Sequence, residues 1–277
     1  MARDGNKIAQ YLEKLAWFSG FIEEKKGTVY LFTGLMIACV IWHFMALAID
    51  RSIVLPGFSD TMIAFFTSWT DPFIMENLYI TLVRVFRGFL NAILIGLPLG
   101  LVMGYSKVFR EALSPIINSI RQVPIMAWVP LAIIWFGLGD GPTIFLITMS
   151  AVFPLMLNTM AGVMGIDPNY KDAAMSMGAG TVAIFRDIVL PGALPNVLVG
   201  CRLALGFAWM SVICAEFIAT NEGFGFLMVE SQVRMQTAQL YALMIMSALV
   251  GFTIDRVLLF VEKNLTGWRY KDASLNN

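Results

Sequence analysis

Apolar runs long enough to cross a hydrocarbon layer of about 30 Å, each bounded by charge or by glycine and proline, organise the chain. The first extends from about Val29 to Ile49 without an Asp, Glu, Lys or Arg, between Lys26 and Asp50. The second covers about Leu78 to Tyr105. It carries Gly96, Gly100 and Gly104 at four-residue spacing, a small-residue ridge that lets helix backbones approach closely in lipid, and Pro98, which predicts a kink. The third is broken: Glu111–Gln122 reads as a helix, then Pro124 and Pro130 interrupt an apolar stretch that ends near Phe136, before a turn made by Gly137, Gly139, Asp140 and Gly141. The fourth starts at Pro142, where a missing N–H costs nothing in the first helical turn, and continues to about Gly165. Asn196–Ala219 and Leu240–Phe260 complete the set. The pattern predicts an all-α membrane protein with six transmembrane helices.

The remaining segments are short. Ile8, Tyr11, Leu12, Leu15, Phe18 and Ile22 recur at helical spacing among charges, which predicts an amphipathic helix lying on the membrane surface. After the Leu55-Pro56-Gly57 turn, Ser59 is placed to cap a short helix over Asp60–Trp69. Residues 166–196 form a long polar interruption, and Thr220–Gln239 a second polar, glycine-containing one. No internal repeat or low-complexity segment is visible. The expected organisation is an N-terminal segment over 1–27, a transmembrane domain over 28–268 and a tail over 269–277.

Basic residues orient this parse. Arg3, Lys7, Lys14, Lys25, Lys26, Lys107, Arg110, Lys171, Arg186, Lys263, Arg269 and Lys271 fall on one side, against Arg51 and Arg234 on the other. Twelve against two puts both termini, and the 166–196 loop, in the cytoplasm.

Composition narrows the class. Hydrophobic types make up 58% and charged residues 14%, against roughly 45–50% and about 25% in soluble chains. A disordered chain and a secreted disulfide scaffold are excluded. Nineteen basic residues balance nineteen acidic ones, so no field steers a polyanion and no nucleic-acid partner is expected. Cys39, Cys201 and Cys214 are widely spaced inside apolar runs and read as packing residues. The first 27 residues show no small-residue cleavage site after a short apolar core, so a secretory signal peptide is not expected. The single histidine, His43, has no ligand-spaced partner, the eighteen methionines read as packing, and the serines lack a nearby base. No metal site and no catalysis are expected.

Five arginines, Arg84, Arg87, Arg121, Arg202 and Arg256, lie within or beside the spans, where a charge needs a partner, a water-filled cavity or a route to the headgroups. Arg256 is placed to snorkel. Arg84 and Arg87, three residues apart, share a helix face. They either hold a loop carboxylate such as Asp60 or Asp71, or form a vestibule that attracts an anion. Arg202 and Glu216, fourteen residues and therefore about 21 Å apart along one helix, cannot pair with each other. Arg202 suits either a pathway for an anion or an inter-helix bond, whereas Glu216 reads as structural. The Pro124–Pro130 break, with Arg121 just before it and Met126 and Trp128 within it, either lines the pathway or kinks a packing helix.

The long loop is the most specific segment. Asp167 is placed to cap a helix with Pro168 in its first turn, Ala173 and Ala174 leave a smooth face, and Gly178 ends or bends it. Asp172-Ala173-Ala174, then Gly178, then Ile188-Val189-Leu190-Pro191, resembles the signature loop of bacterial ABC importer permeases, with Asp172 where Glu is usual. Leu55-Pro56-Gly57-Phe58-Ser59, Leu82–Phe89, Arg121–Pro130, Trp135–Gly139 and Ala215-Glu216-Phe217 resemble the nitrate/sulfonate/taurine branch of that family, across about residues 54–268.

The resemblance implies a coupling helix over about 167–180, with Asp172, Ala173, Ala174, Gly178, Leu190 and Pro191 meeting the ATPase. It also implies two ATP-binding subunits, a second permease copy in a homodimer, and an extracytoplasmic substrate-binding protein, in a bacterial cytoplasmic membrane. The chain lacks Gly-x-x-x-x-Gly-Lys-Ser/Thr, so ATP and Mg belong on the partner and no cofactor is expected here. Rival readings are a permease for another small organic cargo, a gradient-driven secondary transporter or channel, and an intramembrane enzyme. Six spans without visible inverted halves speak against the second.

Overall fold

A computed structural model describes residues 26–266. The elements, in chain order, are α1 (Lys26–Ile49), α2 (Phe58–Ser68), α3 (Pro72–Tyr105), α4 (Lys107–Ile120), a 3-10 turn (Ile125–Trp128), α5 (Val129–Phe136), α6 (Asp140–Met164), α7 (Pro168–Ser176), α8 (Thr181–Ile184), a π turn (Phe185–Val189), α9 (Leu190–Ala219), α10 (Phe224–Val233) and α11 (Thr237–Leu265). No strand occurs among the described residues. The N-terminal amphipathic stretch and the tail lie outside them.

Five helical stretches are long and apolar enough to cross a membrane: α1, α3, α6, the α8–α9 run and α11. The expected third span is two pieces, α4 and residues 125–136, set at 86° to each other. Pro124 has no N–H to continue the α4 ladder, and the chain resumes as a 3-10 turn before α5 takes Pro130 in its first turn.

Three boundaries differ from the sequence reading. The short helix starts at Phe58, two residues before the expected Asp60, so that Ser59 lies inside it, with the Thr61 N–H and hydroxyl both donating to the Gly57 carbonyl. The helix of the 166–196 loop, α7, is shorter than 167–180. The expected loop between it and the fifth span is largely helical, because the chain re-enters a helix at Thr181. It passes Pro191 and Pro195 without stopping. The π turn accommodates this: Leu190 N–H reaches back to the Phe185 carbonyl, widening the helix just where Pro191 brings a ring and removes a donor.

Two compact units divide at residues 63 and 64. In the first, Trp42 Nε1 donates to the Pro56 carbonyl at 3.1 Å and its ring meets Phe58 edge-on. The core of the second is built where α3, α6 and α9 pack, with Val85, Ala92, Leu155, Ala204 and Val212 buried beside Phe224 and Leu227 of α10 and Met246 of α11.

Lipid offers no hydrophobic drive for helix association, so close backbone packing has to supply it. Gly96, Gly100 and Gly104 of α3 all lie against α6. A Cβ at Gly96 would stand 2.9 Å from the Val152 carbonyl oxygen, at Gly100 2.5 Å from that of Met156, and at Gly104 2.6 Å from Val163 Cβ. Ala92 and Gly88 continue the ridge at the same spacing. On the other side of α6, a Cβ at Gly200 of α9 would come within 2.9 Å of Asn158 Cβ.

Gly100→Leu is therefore expected to destabilise the bundle by about 1–3 kcal/mol through overpacking, read as a lower thermal unfolding temperature of the purified protein. Gly206→Ala, where nothing lies within 4 Å of the added carbon, should leave that temperature unchanged or raise it.

Candidate functional site

Two constructions stand at opposite ends of α6. At its C-terminal end the chain turns into α7. The Asp167 side chain accepts the Asn169 N–H at 2.9 Å and caps the helix, with Pro168 in the first turn. At the other end Gly178 adopts φ +84°, a conformation that favours glycine. It lets Ala179 N–H reach the Ala174 carbonyl at 2.9 Å and Gly178 N–H reach that of Met175 at 3.0 Å, the two bonds of a Schellman stop.

The paired alanines then divide their roles. Ala174 is buried with Val163, Ile184, Val189 and Ala193, fastening α7 to the ends of α6 and α9. Ala173, Asp172 and Gly178 face outward, with Leu190 and Pro191 also exposed. Around them Tyr170, Met175, Met177 and Val182 stand out from the surface, Met177 at 83% exposure. Lys171 lies over the Tyr105 ring at 5.6 Å, a further tie to α3. The result is a short helix held rigidly from behind and presenting apolar side chains on its free face.

At the N-terminal end of α6 lies a buried charge network. Arg84, 1% exposed, donates from Nε to Asp140 Oδ1 at 2.7 Å, from Nη1 to Glu216 Oε1 at 2.9 Å, and from Nη2 to Glu222 Oε1 at 3.0 Å. Nη1 also reaches the Glu222 carbonyl at 2.9 Å. Glu216 is fully buried, and its other oxygen accepts the Gly225 N–H at 2.8 Å. The Thr81 hydroxyl donates to the same carboxylate at 2.8 Å and accepts the Phe224 N–H at 2.7 Å, while Asn77 Oδ1 accepts the Gly223 N–H at 2.6 Å.

The first N–H groups of α10, which no helical carbonyl can reach, are thus satisfied by side chains of α3 and α9. Gly223 is required twice over: its φ is +108°, and a Cβ there would collide with the Glu216 carboxyl group and stand 2.7 Å from Arg84 Nη1. At the same end, Gly139 N–H donates to the Ala219 carbonyl at 2.8 Å, closing the end of α9.

The residues nominated for a pathway separate accordingly. Arg84 is buried and its guanidinium is enclosed by acids, which favours the structural alternative over a vestibule for this residue. The carboxylates that hold it are not Asp60 and Asp71, as the sequence suggested, and Asp71 instead caps α3 by accepting the Phe73 N–H. Arg87 is exposed and lies 3.6 Å from Asp140 Oδ2, so one aspartate serves both arginines of the shared face. Arg202 pairs across helices with Glu262 of α11 at 3.5 Å. Arg256 stacks on Phe252 and sits 3.7 Å from Asp255.

Arg121 and Trp128 are brought together at a cavity of about 590 Å³ between the broken third span, α6 and α9. Met126 is exposed and is not part of its wall. Sequence reading missed Asp140 and Glu222 as partners, and Ser150 and Ser211 in the cavity. Asn77, Thr81 and Arg84, spaced i, i+4 and i+7 on one face of α3, were the available signal for a buried polar cluster.

Fold and site together define a class: a multi-span helical membrane protein that carries an exposed, anchored helix between two spans. The family described as binding-protein-dependent transport system inner membrane component matches residues 92–267. The taurine transport system permease TauC of Escherichia coli is 34% identical over 72% of this chain and 72% of its own length. A Bacillus subtilis permease assigned to aliphatic-sulfonate transport is 32% identical over 85% and 87% respectively, and the nitrate import permease NrtB of Synechocystis 28% over 70% of both. Among solved structures, a chain of the MetNI methionine ABC transporter in an inward-facing conformation aligns with 70% of this chain and 96% of its own length, at a TM-score of 0.61 and 19% identity, a likeness of fold. The chain belongs to the binding-protein-dependent inner-membrane permease family of ABC importers. It is a non-catalytic transport subunit, and ATP is hydrolysed by a separate subunit.

Removing one partner of a buried, hydrogen-bonded ion pair leaves the other uncompensated, at a cost of about 3–5 kcal/mol. Glu216→Ala is expected to lose stability on that scale. Glu222→Ala, at an acid 59% exposed, should cost no more than about 1 kcal/mol. Thermal unfolding of both variants in the same lipid nanodiscs checks the order.

Proposed function

We propose that two copies of this chain form the pathway of an ATP-driven importer for small anions of the nitrate, sulfonate or taurine kind. In this reading α7 is the coupling helix, seated in a cleft on each of two ATP-binding subunits, and an extracytoplasmic binding protein delivers the cargo. The observation that carries the coupling role is the construction of α7. It is fixed to the bundle through Ala174 and the Gly178 stop, yet offers Ala173 and an exposed apolar surface outward. Such a helix transmits displacement because it is anchored to the ends of α6 and α9 rather than swinging on a loop.

ATP and Mg reside on the partner subunit. ATP binding there draws the two coupling helices together and opens the pathway outward, and hydrolysis resets it inward. The excess of basic residues on the α7 side supports a cytoplasmic position for that side and for both termini in a bacterial cell. The cargo class is supported by the taurine, sulfonate and nitrate permeases among the relatives.

Ala173→Arg puts a long charged side chain on the docking face without entering the core, and Gly178→Asp strains the stop. Each should leave membrane insertion intact and reduce co-purified ATPase more than tenfold; unimpaired assembly in both overturns the coupling assignment. For orientation, Met177→Cys should react with an impermeant thiol reagent only from the cytoplasmic face, and Met235→Cys only from the opposite one.

A further inference from the structure

Four of the five arginines within or beside the spans have a carboxylate within 4 Å. Arg84 has Asp140, Glu216 and Glu222, Arg87 has Asp140, Arg202 has Glu262 and Arg256 has Asp255. Arg121 alone among these five has none from the described residues. It ends α4 at the break in the third span, exposed, and lines the cavity of about 590 Å³.

The depth of that cavity is set by the α6 residues in its wall, Met149, Ser150, Phe153, Pro154 and Leu157, which occupy the middle of a helix running from Asp140 to Met164. A guanidinium lining a cavity that reaches this depth, with no carboxylate beside it, calls for water or an anion in front of it. No Asp or Glu lines the cavity. Its other polar side-chain groups include the hydroxyls of Ser150 and Ser211, 2.8 Å apart, and the rest of the wall is dominated by aromatic and aliphatic groups, among them Trp128, Phe153 and Phe207.

We propose that this cavity is a transit subsite for a short-chain organosulfonate. Arg121 faces the anionic head and the apolar wall takes the alkyl stem. The inference rests on the anion-importer reading and goes further, because it assigns the residues and favours an anion with a carbon stem over nitrate. A cavity of this size lies within the range that holds small organic ligands, and nitrate gains nothing from an apolar wall. A single exposed guanidinium with no second cation holds an anion weakly, as suits a site that must release its cargo.

The test uses the assembled transporter in nanodiscs, with Cys39, Cys201 and Cys214 replaced by alanine and a thiol introduced by Met149→Cys, a wall position. Two thiol reagents of similar size are compared, each rate normalised to its rate with free cysteine: an anionic methanethiosulfonate bearing ethylsulfonate and a cationic one bearing ethyltrimethylammonium. The expected result is at least a tenfold preference for the anionic reagent. Adding Arg121→Gln should abolish the preference, and Arg121→Lys should restore part of it. Ethanesulfonate should slow the anionic labelling more than equimolar nitrate.

Equal rates for the two reagents, a preference that survives Arg121→Gln, no labelling by either, or equal protection by nitrate overturns the subsite. Uptake by unsubstituted transporter with its ATPase and binding protein is measured in parallel. If neither alkyl sulfonate nor nitrate is taken up, the anion-importer reading itself fails; uptake without an Arg121-dependent preference fails the subsite alone.

Discussion

The enclosure of the Arg84 guanidinium is the interaction on which this bundle depends. A charge removed from water in a membrane protein is tolerable only when its donors find acceptors and the opposite charge is equally well held. Arg84 spends its donors on Asp140 at the start of α6, Glu216 near the end of α9 and Glu222 in the turn before α10. Glu216 in turn takes hydrogen bonds from α3 and from the first turn of α10. One arginine therefore fixes the relative positions of four elements. It does so where Gly139 and Gly223 adopt backbone conformations that favour glycine, so the turns and the charges specify the same geometry.

Away from that end, α3, α6 and α9 are held by shape rather than charge. The glycine faces of α3 and α9 bring backbone against α6 from both sides, so the three helices pack as one unit. At the far end of the same unit sits α7, keyed in by Ala174. A displacement at α7 is consequently delivered to packed helices and not absorbed by a connecting loop. The Schellman stop at Gly178 contributes, since it sets the direction in which the chain enters α8 and α9. The broken third span differs in kind: 3-10 and short α segments at 86° to α4 leave room for a cavity against α6 and α9.

Much of this was legible in one dimension. Apolar run length locates the spans because a fixed hydrocarbon thickness demands it. Glycines at four-residue spacing mark the α3 ridge because that spacing returns to one helix face. Asp167-Pro168 and Gly178 marked the start and stop of α7, since capping and left-handed backbone are properties of single residues. Ser59 failed as a cap because the Gly57 carbonyl starts the helix two residues earlier. The interruption expected over 166–196 is instead largely helical, because a π turn absorbs the donor missing at Pro191, which no local rule states.

By itself, the sequence determined which segments are long and apolar enough to cross, which side carries the basic excess, which residues start and stop α7, and which face of α3 packs closely. These are set by run length, periodicity and the conformational limits of individual residues. Only the tertiary structure decided which carboxylate each arginine meets, that Ala174 points in while Ala173 points out, and that Arg121 is left facing a cavity. Arg84 and Glu216 are 132 residues apart, and no periodicity links them. Their pairing exists because three helices pack at distances of a few ångströms, and that spacing decides which charges come into contact.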